Sequence, residues 1–97
     1  MERIRYIVSY DIADPKRLRR VAKICEGFGS RLQYSVFECP LDDLRLERLK
    51  AQLGSVLREQ EDQVLIISLG AENATSAAFR IEAMGLPYFQ RQRITIV

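Results

Sequence analysis

The chain has 97 residues, 47% of them hydrophobic and 29% charged, with a formal net charge of +2, which suits one domain spanning residues 1–97 around a single modest core. It contains no histidine, so Ser-His-Asp and Cys-His hydrolysis, paired-histidine ribonuclease chemistry and ordinary zinc sites are excluded, and any catalysis must rest on carboxylates and a hard metal ion. The small net charge makes the distribution of charge more informative than its sum.

No apolar run approaches the roughly 20 residues needed to span a bilayer, and MERIRYIVSYD carries charges through its apolar part, unlike a signal peptide. A cytoplasmic protein without a membrane partner is expected. Cys25 and Cys39 are too far apart for a CxxC ligand pair and are read as plain reduced thiols.

In chain order, Arg3 to Asp11 reads as a strand. Ile4, Tyr6, Val8 and Tyr10 alternate with Arg5, Ile7, Ser9 and Asp11, and both faces are largely apolar, so each needs a cover. Asp11 closes the strand beside a loop, a common place for a reactive group. Asp14-Pro15 then reads as the start of a helix, with Asp14 as N-cap, running to about Phe28, where Gly27 and Gly29 stop it. Leu18, Val21, Ala22, Cys25 and Phe28 fall on one side. At about 100° per residue, Lys16, Arg19, Arg20 and Lys23 cluster on the other, with Arg17 at the edge.

A charge run is often only a solvated face. Here, however, Lys16 and Arg17 oppose the helix dipole in the first turn, and no carboxylate four residues away pairs with the cations. An external polyanion, such as a phosphate backbone, explains that surface better.

Residues 30–39, SRLQYSVFEC, read as extended chain closed by Pro40, either one bent strand or two short ones meeting near Ser35. Phe37 reads as core rather than a base-stacking platform, and Arg31 as either a phosphate ligand or an exposed side chain. Asp42 or Asp43 caps a second helix reaching about Gln60, with Leu46, Leu49, Leu53, Val56 and Leu57 buried and mixed signs outside. Gln63 to Leu69, ended by Gly70, reads as a strand buried on both faces. Two helices ordinarily cover one face of a small sheet, so the surplus apolar face predicts a sheet-to-sheet homodimer. Glu72 to Ser76 reads as a polar turn, and Phe79 to Met84 as an amphipathic piece of open type. Gly85 to Pro87 reads as a break, and Arg93 to Val97 as a further strand.

This order gives an α+β, ferredoxin-like βαββαβ fold with an additional C-terminal strand. The succession YIVSYDI, RLRRVAK, RLQYSVFEC, a late apolar strand, RIEAMG and a terminal apolar strand resembles the CRISPR-associated protein two family, the small adaptation protein that partners the CRISPR integrase. The resemblance covers nearly the whole chain. It implies a homodimer with the strand-ending acid, here Asp11, near the two-fold axis. It also implies binding of DNA or RNA and a role in spacer acquisition, either as a Mg2+-dependent endonuclease or as a nonenzymatic bridge between integrase dimers. Family positions tied to activity or nucleic-acid contact fall on Tyr10, Asp11, Arg20, Arg31 and Phe37. Leu18 stands where some relatives carry arginine, with Arg17 and Arg19 on either side.

The expected site follows. Asp11 and its symmetry mate hold one hydrated Mg2+, and Arg20 or Arg31 stabilises charge on the phosphoryl oxygens. Lys16, Arg17, Arg19, Arg20, Lys23 and Arg31 bind the phosphate backbone, with Tyr10 and Phe37 as accessories. A ferredoxin-like RNA-binding module outside this family is the remaining reading, and it needs surface aromatics on the sheet.

Overall fold

The computed structural model describes residues 2–72 and 80–88. Its elements run β1 (Ile4–Asp11), α1 (Pro15–Glu26), β2 (Ser30–Gln33), β3 (Val36–Leu41), α2 (Asp43–Gly54), β4 (Gln63–Ala71) and β5 (Arg80–Gly85). The strands form one sheet in the order β2-β3-β1-β4-β5, with every neighbouring pair antiparallel. β1 and β2 therefore run the same way with β3 between them, the split βαβ arrangement of a ferredoxin-like fold. β5 extends the sheet beyond β4. Among the described residues the strand beyond β4 is Arg80–Gly85, in the stretch whose type the sequence left open. The strand expected at residues 93–97, and most of the turn expected at residues 72–76, lie outside the described residues.

Strand alternation sorts the side chains onto two unlike faces. Val8 and Tyr10 of β1, Phe37 and Cys39 of β3, and Val64 and Ile66 of β4 point to the helix side, where Val21 and Cys25 of α1 and Leu49 and Leu53 of α2 complete one buried cluster. The opposite face carries Ile7, Ser9, Val36, Leu65 and Ile67. Register sets Ile7 opposite Ile67, and Ser9 between Leu65 and Val36. These side chains are only half-buried, and both helices lie on the other side. The surplus apolar face expected from the sequence is present.

Local chemistry sets the ends of the elements. Asp14 caps α1, its carboxylate accepting from the Arg17 amide at 2.9 Å, with Pro15 at the first helical position. At the other end Gly27 is right-handed, with φ −74°, so the helix does not stop on a left-handed glycine. Gly29 has a different job: a Cβ there would collide with the Glu38 carbonyl and Cys39 of β3, so its smallness lets the loop lie against the sheet.

The other elements depart from expectation in small, explicable ways. The SRLQYSVFEC stretch is two strands, as one of its readings had it, with the turn at 34–35. β3 runs on through Pro40 to Leu41; β2 pairs only as far as Glu38, so at Pro40 the strand is locally an edge, where a missing N–H is tolerated. Asp42, not Asp43, caps α2, accepting from the Arg45 amide at 2.8 Å. α2 stops at Gly54 rather than near Gln60, because the Ser55 hydroxyl donates to the Gln52 carbonyl at 2.7 Å and the chain tightens through bonds from Val56 and Leu57 to Leu53. Val56 still reaches the core. β4 continues through Gly70, whose φ of 90° suits glycine, to Ala71.

Candidate functional site

β1 ends and β4 begins at the same end of the sheet, with Asp11 opposite Gln63 and Gly85 beyond it. Two carboxylates stand here, in opposite environments. Asp62 has no solvent exposure. Its Oδ1 accepts from the Ala13 amide at 2.9 Å and from Arg17 Nη2 at 3.2 Å. Its Oδ2 accepts from Arg17 Nε and from the Arg58 amide, both at 2.9 Å. Burial alone would raise its pKa, but the Arg17 guanidinium and the two amides outweigh that and hold the carboxyl at about 2. The Asp62 carbonyl accepts from Leu86 N at 2.7 Å, and Gly85 at φ 84° leaves room for it. One residue thereby ties the loop before α1, the loop before β4 and the chain after β5.

Arg17 belongs to this junction. Its side chain is 15% exposed and also reaches Glu61 Oε1 at 3.4 Å, and Asp62 is the leading cause of its raised pKa. Spacing along α1 grouped Arg17 with the phosphate-facing cations; the structure instead commits its Nε and Nη2 internally. The acid that pairs it lies 45 residues away in sequence, beyond the reach of any helical-spacing argument.

Asp11 is the contrast. It is exposed, and it follows Tyr10, which is 5% exposed and packs toward the helices, so alternation turns Asp11 to the open face with Ser9 and Ile7. Its carboxylate has no hydrogen bond or ion pair among the described residues. The side chain of Gln63 across from it is occupied, donating to the Leu86 and Pro87 carbonyls at 3.1 and 3.0 Å.

Arg31, Phe37 and Tyr10 come together, but on the helix side. The Arg31 guanidinium lies 5.1 Å from the Phe37 ring centroid, and the Tyr10 and Phe37 rings stack at 6.2 Å and 25°. Phe37 is fully buried, core as expected. The Tyr10 hydroxyl donates to the Tyr34 carbonyl at 3.4 Å; burial raises its pKa, and a bond with Arg31 partly offsets that. Arg31 itself remains exposed, with Glu26 at 3.9 Å. Tyr10 and Phe37 thus form the bed on which Arg31 rests.

Lys16, Arg19, Arg20 and Lys23 are all exposed, and none has an ion-pair partner among the described residues. Arg20 and Lys23 border a hollow of about 530 Å³ between α1 and α2. One protomer therefore brings Arg20 to Lys23, and Arg31 to the two aromatics, while Asp11 stands apart on the other side of the sheet. Among the described residues no group of three or more carboxylate, thiol or imidazole side chains could hold a metal ion. Cys25 and Cys39 are free and buried. Burial, aided by the nearby Cys39, pushes the Cys25 thiol to about 12, and burial, aided by the Glu38 carboxylate, pushes Cys39 to about 11, so neither is a nucleophile near neutral pH. Sequence reasoning missed Asp62; its one signal was an acid placed directly before an apolar strand.

Comparison with known proteins adds a family. The CRISPR associated protein Cas2 family matches residues 4–77. A CRISPR-associated endoribonuclease Cas2 of Geobacter sulfurreducens is 49% identical over 69 residues, covering 70% of this chain and 73% of that protein. Another, from Rhodospirillum rubrum, is 37% identical over 92 residues and covers 95% and 88%. The crystal structure of Streptococcus pyogenes Cas2 at pH 6.5 superposes with a TM-score of 0.60 at 36% identity, over 64% of this chain and 81% of that one. A hypothetical protein from Thermus thermophilus superposes at 0.61 with 29% identity, over 97% and 93%. No described helix is long and apolar enough to cross a membrane.

Proposed function

Because the chain belongs to the CRISPR-associated Cas2 family, we propose that it acts in CRISPR adaptation as a cytoplasmic homodimer that binds nucleic acid and hydrolyses phosphodiester bonds with the help of Mg2+. The half-buried apolar face around Ile7, Val36, Leu65 and Ile67 supports the dimer: two copies laid face to face would remove it from water, and the helices cover only the other side.

The observation that carries the catalytic part is the unengaged carboxylate of Asp11 on that same open face. A hard divalent cation fits its oxygen donors, yet one carboxylate is a sparse site, and the neighbouring Asp62 has both oxygens taken by protein donors. Asp11 of one protomer with the partner subunit's Asp11 would hold the ion, leaving its other positions to water and substrate phosphate. The bound cation would supply Lewis acidity toward the phosphoryl oxygens. Asp11 positions; the exposed cations Lys16, Arg19, Arg20, Lys23 and Arg31 bind backbone phosphates. Arg17 is left out of that set.

A second reading is favoured by one feature. The α1 cations and Asp11 lie on opposite sides of the sheet, so a duplex resting on α1 need not approach Asp11 of the same chain. Such a protein would bridge integrase dimers and hold spacer DNA without cutting it.

One experiment separates the two: incubation of single-stranded RNA and duplex DNA with wild type and Asp11→Ala, with and without Mg2+, together with sedimentation of both proteins. Cutting that needs Mg2+ and Asp11, by a dimer, is expected. Equal cutting by the two proteins would remove Asp11 from the chemistry; binding without any cutting would leave the bridge.

A further inference from the structure

The exterior of α2 is charge-balanced by residue type, but folding gathers two arginines along one edge. Arg45, Arg48 and Gln52, three and four residues apart, lie along the edge facing the end of α1 and line a second hollow of about 450 Å³. Asp43 and Lys50 lie on the other edge, where Lys50 pairs with Glu82 of β5 at 2.8 Å. The Arg45–Arg48 hollow shares Gly27, Phe28 and Gln52 with the one bordered by Arg20 and Lys23. The two are therefore adjoining parts of one trough across the outside of the helix layer. Arg20, Lys23, Arg45 and Arg48 are exposed and without ion-pair partners among the described residues, and no carboxylate lines either hollow.

We propose that this trough is a phosphate-backbone track in which Arg45 and Arg48 of α2 share a nucleic-acid strand with Arg20 and Lys23 of α1. The proposal rests on the nucleic-acid-binding function given above and extends its interface from one helix to two. Two features favour nucleic acid over an acidic protein segment. The floor is made by side chains already packed against the core, such as Phe28 and Ile24, and cations stand at both ends of the trough, a lining that suits a continuous polyanion. The cations also follow one another closely: Arg45 and Arg48 are about 4.5 Å apart along the helix axis, comparable with the roughly 3.4 Å rise per charge along a DNA strand. In addition, Arg45 follows the Asp42 cap by three residues, a first-turn position where the dipole disfavours a cation, so its charge does not serve the helix.

The test is duplex DNA binding by fluorescence anisotropy at stepped NaCl, for wild type, Arg20→Glu/Lys23→Glu, Arg45→Glu/Arg48→Glu and the neutral pair Arg45→Gln/Arg48→Gln. The α2 pairs should weaken binding at least about tenfold at low salt, and the neutral pair should flatten the salt slope by about two. The thermal midpoint should hold, since a glutamate at position 45 suits the first turn. A substitution on the opposite edge, Glu47→Gln, should change neither. Unchanged affinity and slope in both α2 pairs, with loss in the α1 pair, would confine the backbone to α1 and overturn the inference alone. Loss of binding to polyglutamate rather than to DNA would overturn it in favour of an acidic protein partner. Absence of salt-dependent binding by wild type would overturn both the inference and the function on which it rests.

Discussion

The junction around Asp62 and the strand end at Asp11 sit at the same end of the sheet, and each offers a carboxylate. Asp62 is closed off by four donors and serves the fold; Asp11 has none and faces outward. The same division separates two cations within α1. Arg17 is drawn into the junction, while Arg20, nearly one turn on, stays free. The lesson is that residue type and helix position do not assign a role here. What assigns it is whether the fold delivers a partner to that side chain.

The contrast is broken most directly at Asp62. Asp62→Ala strands the Arg17 guanidinium and two amides in a largely buried site, and removing one member of such a pair costs about 3–5 kcal/mol, a large share of the roughly 5–15 kcal/mol holding a domain of this size. Urea unfolding should show that loss. A change below about 1 kcal/mol would mean that the junction is not what secures these loops. Asp11→Asn should do the reverse, leaving stability within about 0.5 kcal/mol while lowering Mg2+-dependent cleavage by about 100-fold or more. If Asp11→Asn unfolds the protein instead, the two acids are not the opposites described.

Acid sharpens the same comparison. The folded-state pKa of Asp62, about 2, lies below its ordinary value of 3.8, so its stabilisation is present above pH 4 or so and is lost as pH falls toward 2, on the order of 2 kcal/mol in all. Asp14, held below the usual range by the Arg17 amide, has the same sign. Unfolding free energy followed from about pH 5 to 2 should fall in wild type and fall less in Asp62→Asn. Parallel curves would show that Asp62 titrates alike in the folded and unfolded states.

Much of this was legible beforehand, for identifiable reasons. The Asp14-Pro15 start of α1, the alternation in β1 and the apolar run of β4 are local signals, and local signals survived folding. The apolar second face was legible too, because period two reports both faces of a strand at once. Most of what escaped reading depended on distant chain: the Arg17–Asp62 pair joins α1 to the loop before β4, and the cationic edge of α2 acquires meaning only beside α1. The early end of α2 was missed for a local reason, the side-chain bond from Ser55 to Gln52. For Asp11, the position was legible in the strand pattern, and the structure added that no hydrogen bond or ion pair among the described residues occupies its carboxylate.

Arg31 tests the smallest difference, because it stands between the two kinds of cation. Like Arg17 it has internal contacts, and like Arg20 it is exposed. Its ion pair with Glu26 is long, at 3.9 Å, and solvated on both sides, so it contributes little. Its place above Phe37 is worth about 0.5–1 kcal/mol at an exposed site. Arg31→Gln should therefore cost less than about 1 kcal/mol in urea unfolding while flattening the salt dependence of DNA binding by about one. A cost above about 2 kcal/mol with an unchanged salt slope would move Arg31 to the structural side with Arg17 and reduce the aromatic bed of Tyr10 and Phe37 to core packing. The expected result has the opposite meaning: the ring beneath orients a guanidinium that stays exposed enough to reach phosphate.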